Sequence, residues 1–116
     1  MADIALHFEV EENVDPETIT ATLNDRLAQV QNVETTKVRP EQSRLGPLEI
    51  IAILTLATQL IRAGSSTIEE LRKLLDEVRK LIVSVKGVRN AFVDVGLRRV
   101  PVSQLTEEDL KELAQQ

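Results

Sequence analysis

The chain has 116 residues, 42% of them hydrophobic and 28% charged, which fits one globular domain rather than a disordered chain. A domain of this length buries roughly two-thirds of the surface its unfolded chain exposes. It contains no cysteine, which excludes disulfide scaffolds, thiolate zinc and iron–sulfur sites and cysteine nucleophiles together. The net charge of −5 is unevenly spread: residues 1–34 carry eight acids against Arg26, while residues 72–99 carry eight bases against three acids.

The apolar residues are nearly all aliphatic. With Phe8 and Phe92 the only aromatic side chains, the core has to be built from Leu, Ile, Val and Ala. Met1-Ala2-Asp3 leads into an alternating pattern rather than a basic stretch followed by an apolar run, so no signal peptide is expected, and a cytoplasmic location is.

Residues 4–10 alternate. Ile4, Leu6, Phe8 and Val10 face one way and Ala5, His7 and Glu9 the other, as on a half-buried strand. Asp15-Pro16 then opens a helix, with Asp as N-cap and Pro where a missing N–H costs nothing. Ile19, Leu23, Leu27 and Val30 give it one apolar stripe, and Asn32 is the expected exit. Residues 33–39 form a weaker strand candidate, because Val33 and Val38 fall on opposite faces of a regular strand. Pro40 to Gly46 reads as a connection.

Ten of the fourteen residues from Leu48 to Ile61 are apolar, and the polar positions Thr55, Thr58, Gln59 and Arg62 fall at i, i+3, i+4 and i+7. This spacing predicts a buried core helix with one narrow polar seam. At 1.5 Å per residue the run spans roughly 21 Å, short of a bilayer's hydrocarbon core of roughly 30 Å, so no transmembrane segment is expected. Ser66-Thr67-Ile68-Glu69 is a capping-box pattern. Ile68, Leu71, Leu75, Val78, Ile82 and Val85 continue a core-facing helix to about Val85, with a strand over residues 81–85 as the alternative and Gly87 as the terminator. Residues 91–95 and 99–102 flank a turn at Gly96-Leu97, with Pro101 confined to an edge or a strand end. Thr106 to Asp109 caps a last helix carrying Leu110 and Leu113.

The expected fold is therefore α+β: one two-layer domain over residues 1–116, in the order β-α-β-α-α-β-β-α, with a small mixed sheet packed on an apolar helical hairpin. No catalytic constellation emerges. His7 is the single histidine and reads as a solvated or half-buried filler. The acid clusters at 11–12, 69–70 and 107–109 sit at element ends, where they serve solvation or the helix dipole. Four glycines form no phosphate-cradling pattern. The chain is expected to be no enzyme and to hold no cofactor and no metal.

Two features remain as docking candidates. One is the basic segment, with Arg72, Arg79, Lys80, Lys86, Arg89, Arg98 and Arg99 as its contact residues. The other is the polar seam Thr55, Thr58, Gln59 and Arg62. The segment reads either as a solvated face laced with ion pairs, as a surface for an acidic protein partner, or as a weak nucleic-acid site. The 48–61 run is either sandwiched in the core or leaves apolar surface for a partner.

Three features together resemble the effector-associated constant component family of bacterial conflict systems: the unit Ile4–Val10 with Asp15–Val30, the apolar run beginning Gly46-Pro47-Leu48-Glu49-Ile50, and the late hairpin with its terminal helix around Leu110 and Leu113. The chain departs from that pattern in the long charged helix 67–86. The resemblance implies a non-enzymatic defence component encoded near an effector protease or NTPase, coupling recognition to effector activation, and it assigns no functional residue. An adaptor or regulatory module that binds protein, or associates with itself, is the expected function. Weak nucleic-acid binding through 72–99 is the alternative.

Overall fold

In a computed structural model, the described residues are 3–30, 33–42, 48–56 and 67–115. The alternating segment forms β1 (Asp3–Val10), with Ile4, Leu6, Phe8 and Val10 buried on one face. It pairs antiparallel with β3 (Leu48–Leu56) on one side and β4 (Val88–Val95) on the other, which puts it at the centre of the sheet. The outer strands are β2 (Val33–Gln42), paired with β3, and β5 (Arg98–Pro101), paired with β4, giving the order β2-β3-β1-β4-β5.

Three helices are described: α1 (Pro16–Ala28), α2 (Thr67–Ser84) and α3 (Glu107–Gln115), the last preceded by a 3-10 turn over Val102–Gln104. Ile19, Leu23 and Leu27 of α1, Leu71, Leu75 and Val78 of α2, and Leu110 and Leu113 of α3 share one core with the inner faces of β1, β3 and β4. Each fully buried aliphatic side chain stabilises this layer by about 1.5–3 kcal/mol relative to an exposed one. The fold is α+β and two-layered, with the sheet's other face covered by no described element.

Among the described elements, the first four strands and two helices run β-α-β-β-α-β, and β1 lies between β3 and β4 while β3 lies between β1 and β2. This is the ferredoxin-like split β-α-β plan. The β5 strand and α3 are added at the β4 edge.

The structure corrects the reading of the apolar run. Leu48–Leu56 is a strand, not the first half of a core helix, and residues 57–61 lie outside the described residues. Four of these nine residues, Ile50, Ile51, Ile53 and Thr55, are β-branched, which favours a pleated strand. Inward Ile50, Ala52, Leu54 and Leu56 alternate with outward Ile51, Ile53 and Thr55, so aliphatic residues on both faces erase the apolar–polar alternation. The order of described elements is accordingly β-α-β-β-α-β-β-α. All four pairings are antiparallel rather than mixed, and no helical hairpin is built from 48–56.

Local signals explain the remaining elements. The carboxylate of Asp15, the expected N-cap, accepts the Thr18 hydroxyl at 2.6 Å and makes no bond to a backbone N–H of α1. The α2 helix runs to Ser84, which resolves 81–84 as helix, and Gly87 follows at φ +98. Backbone N–H of Glu11 donates to the Gly87 carbonyl at 2.8 Å, tying the end of α2 to the end of β1. Gly96 takes φ +62 in the β4–β5 turn, and Pro101 ends the edge strand β5 as expected. At α3, Thr106 and Asp109 cap reciprocally: the Asp109 N–H donates to Thr106 Oγ1 at 3.2 Å and the Thr106 N–H to Asp109 Oδ2 at 3.0 Å. No helix among the described residues is long and apolar enough to cross a membrane.

Candidate functional site

Strand register fixes which side chains share the outer sheet face. Cross-strand partners point the same way, so three rows can be followed across the strands. Glu41, Glu49 and Glu9 form the first row, with Asn90 next to Glu9. The second runs Arg39, Ile51, His7, Phe92, Pro101. In the third, Lys37, Ile53 and Ala5 lie on β2, β3 and β1. Ile51, Ile53 and Phe92 are half-buried, leaving an apolar strip between charged margins.

At its centre His7 is only 6% exposed. Its two diagonal neighbours are acids: Glu49 lies two residues from Ile51, and Asp94 two residues from Phe92, the residues directly opposite His7. His7 Nδ1 lies 2.7 Å from Glu49 Oε1 and Nε2 lies 2.9 Å from Asp94 Oδ2. Arg99 Nη1 stands 3.3 Å from Glu49 Oε1 and Nε stands 3.8 Å from Asp94 Oδ1, closing the ring. Each ring nitrogen therefore faces a carboxylate oxygen at hydrogen-bond distance. The arrangement engages both nitrogens. Among the described residues no group of three or more His, Asp or Glu side chains is placed to hold an ion.

His7 is thus a buried hub rather than a solvated or half-buried filler. Its partners lie 42 and 87 residues away in sequence, so only the strand register reveals them.

The basic segment is divided rather than gathered into one patch. Arg72, Arg79 and Lys80 lie on the exposed side of α2, within 3.6 Å of Glu107, 3.5 Å of Asp76 and 3.7 Å of Asp76 respectively. Lys86 lies exposed in the turn after α2 and Arg89 exposed on β4. Arg98 and Arg99, adjacent on β5, point to opposite faces. Arg98 donates to Asp109 at 2.9 Å and to Glu112 at 2.8 Å, which pins β5 to α3. These two hydrogen bonds raise the Arg98 pKa. The Thr106 backbone N–H holds the Asp109 carboxyl below its usual range against the opposing effect of burial, with Arg98 adding to the depression. Thr55 is half-buried on the outer face of β3, opposite Asp3 and Thr35, so it belongs to a strand and not to a helical seam. Thr58, Gln59 and Arg62 lie outside the described residues.

A second feature borders the same face. A groove of about 770 Å³ is lined on one side by Thr36, Lys37, Val38, Arg39 and Pro40 of β2, with Ile53 of β3 beside them. Because alternate side chains face opposite ways, a space lined by five consecutive strand residues wraps around the strand's free edge, and Ile53 shows that it also reaches the outer face. The other wall is one stripe of α1, Glu17, Thr20, Ala21 and Asn24, at i, i+3, i+4 and i+7. Lys37 and Arg39 are exposed and make no ion pair or hydrogen bond with any described residue. Sequence reading passed over both, because they lie in the weakest strand signal of the chain.

No family model, characterised protein or solved structure matches the chain.

Proposed function

We propose that the chain is a non-catalytic protein-interaction module, an adaptor or regulatory component that docks another protein on the outer face of its sheet. One observation carries this reading: the half-buried strip of Ile51, Ile53 and Phe92 lies uncovered by any described element, beside Lys37 and Arg39, two exposed cations with no ion-pair partner among the described residues. Apolar surface edged by charge is the usual composition of a docking site, in which burial drives association and charge selects the partner. His7 supports a structural role at this face, since both its nitrogens are engaged by carboxylates.

The finer assignment follows the family resemblance. A defence-system component acting beside an effector protease or NTPase in the cytoplasm is consistent with a small domain of this kind, and self-association on the same face is the homotypic version. Weak nucleic-acid binding ranks second. Six cations of the basic segment, Arg72, Lys73, Arg79, Lys80, Arg98 and Arg99, lie within ion-pair distance of carboxylates. Sheets that read RNA stack several bases on aromatic side chains, whereas Phe92 is the single phenyl ring among the outward residues, and His7 beside it is buried between two carboxylates.

A photo-crosslinking residue at position 51 in the full chain, expressed in its native cell, tests the reading. A discrete protein adduct from position 51, with none from exposed position 77 on α2, is the expected result. A nuclease-sensitive adduct, or no adduct from position 51, would overturn it.

A further inference from the structure

The free edge of β2 is the long exposed edge of this sheet. It has ten residues against four in β5, and β2 pairs with no described strand but β3. An edge of this length is a template for another strand, and proteins usually blunt such edges with charge, proline or a bulge. β2 has all three: Lys37 and Arg39, Pro40, and a register shift between Val33 and Thr35. What these devices leave is selective rather than closed, because the groove between α1 and the strand runs alongside residues 36–40, its walls joined at one end where the Thr36 hydroxyl donates to Asn24 Oδ1 at 2.9 Å.

We propose that this edge is a β-augmentation site for an extended acidic segment of a partner protein. The inference rests on the interaction reading above and specifies the chemistry of its partner. Residues 36–40 span about 14 Å of strand, room for an incoming strand of about five residues. A strand laid beside β2 turns alternate side chains to the two faces of the extended sheet. On the outer face it meets Lys37 and Arg39, two positions apart, so the matching strand carries acids two positions apart. On the inner face it passes beneath the α1 wall at Thr20, Ala21 and Asn24, where small uncharged side chains fit, and Glu17 at the end of that wall repels an acid pointing inward. The recognised pattern is acid, small apolar, acid.

Charge also disfavours a second copy as the occupant in the registers centred on residues 37 to 39. Two β2 strands related by a two-fold axis at residue 37 set Lys37 opposite Lys37. An axis at residue 38 sets Lys37 opposite Arg39, and one at residue 39 sets Arg39 opposite itself. Like charges directly opposite destabilise a pair. An axis at residue 40 relieves the charges but brings Pro40, which has no N–H, opposite itself.

The test uses the full chain with two capped heptapeptides, one alternating glutamate with valine and one alternating lysine with valine, and follows backbone amide shifts by NMR titration. The glutamate peptide is expected to bind with shifts concentrated at residues 36–40. Its affinity is expected to fall at least ten-fold for the Lys37→Glu/Arg39→Glu variant, and the lysine peptide to show the reverse preference. Both substitutions are at exposed positions, and the dispersion of the same spectra reports whether the variant is folded. Absence of binding at millimolar glutamate peptide, equal binding to parent and variant, or shifts confined to Ile51 and Phe92 would each overturn the edge site. So would a parent dimer in sedimentation that the double variant abolishes. Protein adducts from position 51 that persist after such a failure leave the interaction reading standing, and loss of both removes it.

Discussion

Arg99 and Glu49 meet at 3.3 Å although their strands, β5 and β3, are separated by β4 and β1. The guanidinium spans that gap above His7, and Glu49 Oε1 is shared between the arginine and the imidazole. Glu49 also faces Glu41 and Glu9 directly across the sheet, a row of like charges that costs stability unless a cation offsets it. Arg99 supplies that offset. His7→Ala is expected to cost about 1–3 kcal/mol, since it leaves polar groups without their partner. Arg99→Ala should cost less, because Arg99 is half exposed and screened. A double-mutant cycle on His7 and Glu49, measured by urea unfolding, should return a coupling of about 0.5–1.5 kcal/mol. Additive losses would show that the two side chains merely lie side by side.

Asp109 links two elements, capping α3 through Thr106 and receiving Arg98 from β5. Its carboxyl is depressed in the folded state, so the stabilisation it contributes is complete above the unfolded carboxylate pKa of about 3.9 and is lost as the pH falls through the lower folded value. Asp109→Ala is expected to lower stability by about 1–2 kcal/mol at neutral pH through loss of the cap. The difference between parent and variant should narrow progressively below about pH 4. Arg98 is held further into its charged form, so it adds no pH dependence in that range. Paired urea titrations at pH 7 and at pH 3 check this, and a constant difference would contradict it.

Gly87 joins α2 to β4 at φ +98, and a Cβ built there would stand 2.7 Å from Val14 Cγ2. Backbone strain and a clash therefore act together at one residue. Gly87→Ala should destabilise by about 1–3 kcal/mol. Gly87→Ala combined with Val14→Ala should recover the clash but not the strain, so thermal unfolding of the pair should fall between the parent and Gly87→Ala.

The sequence made some elements legible and hid others for reasons visible in particular residues. β1 could be read because its outward positions, Ala5, His7 and Glu9, contrast with Ile4, Leu6, Phe8 and Val10. β2 could not be read with the same clarity, because Val33 and Val38 sit at an odd spacing. The register shift beside Glu34 absorbs one residue, pairing Val33 with Leu56 and Val38 with Ala52, both on the buried side. The hairpin, its edge proline and the α3 cap followed from local chemistry. The His7 network did not, because it depends on long-range pairings among four strands. The basic segment illustrates the same limit. Arg98 and Arg99 are adjacent in sequence, yet one binds α3 and the other the outer face.

The largest difference between sequence and structure, the β3 strand, gives the most direct check on the fold. A helix over 48–56 would distribute the cost of substitution with a period of 3.6 residues, whereas a strand alternates it with a period of two. Leu54 is fully buried against the helices, and Leu54→Ala is expected to cost about 2–5 kcal/mol. Ile53 beside it points to the outer face and is half-buried, so Ile53→Thr, which keeps the β-branch, should cost less than about 1 kcal/mol. Ile50→Ala should again be severe and Ile51→Thr mild. Urea midpoints for these four variants decide between the periods. A large loss at Ile53 with a small one at Leu54 would contradict the register that places Ile51 and Ile53 beside His7 and Arg39, and with it the docking face built on that register.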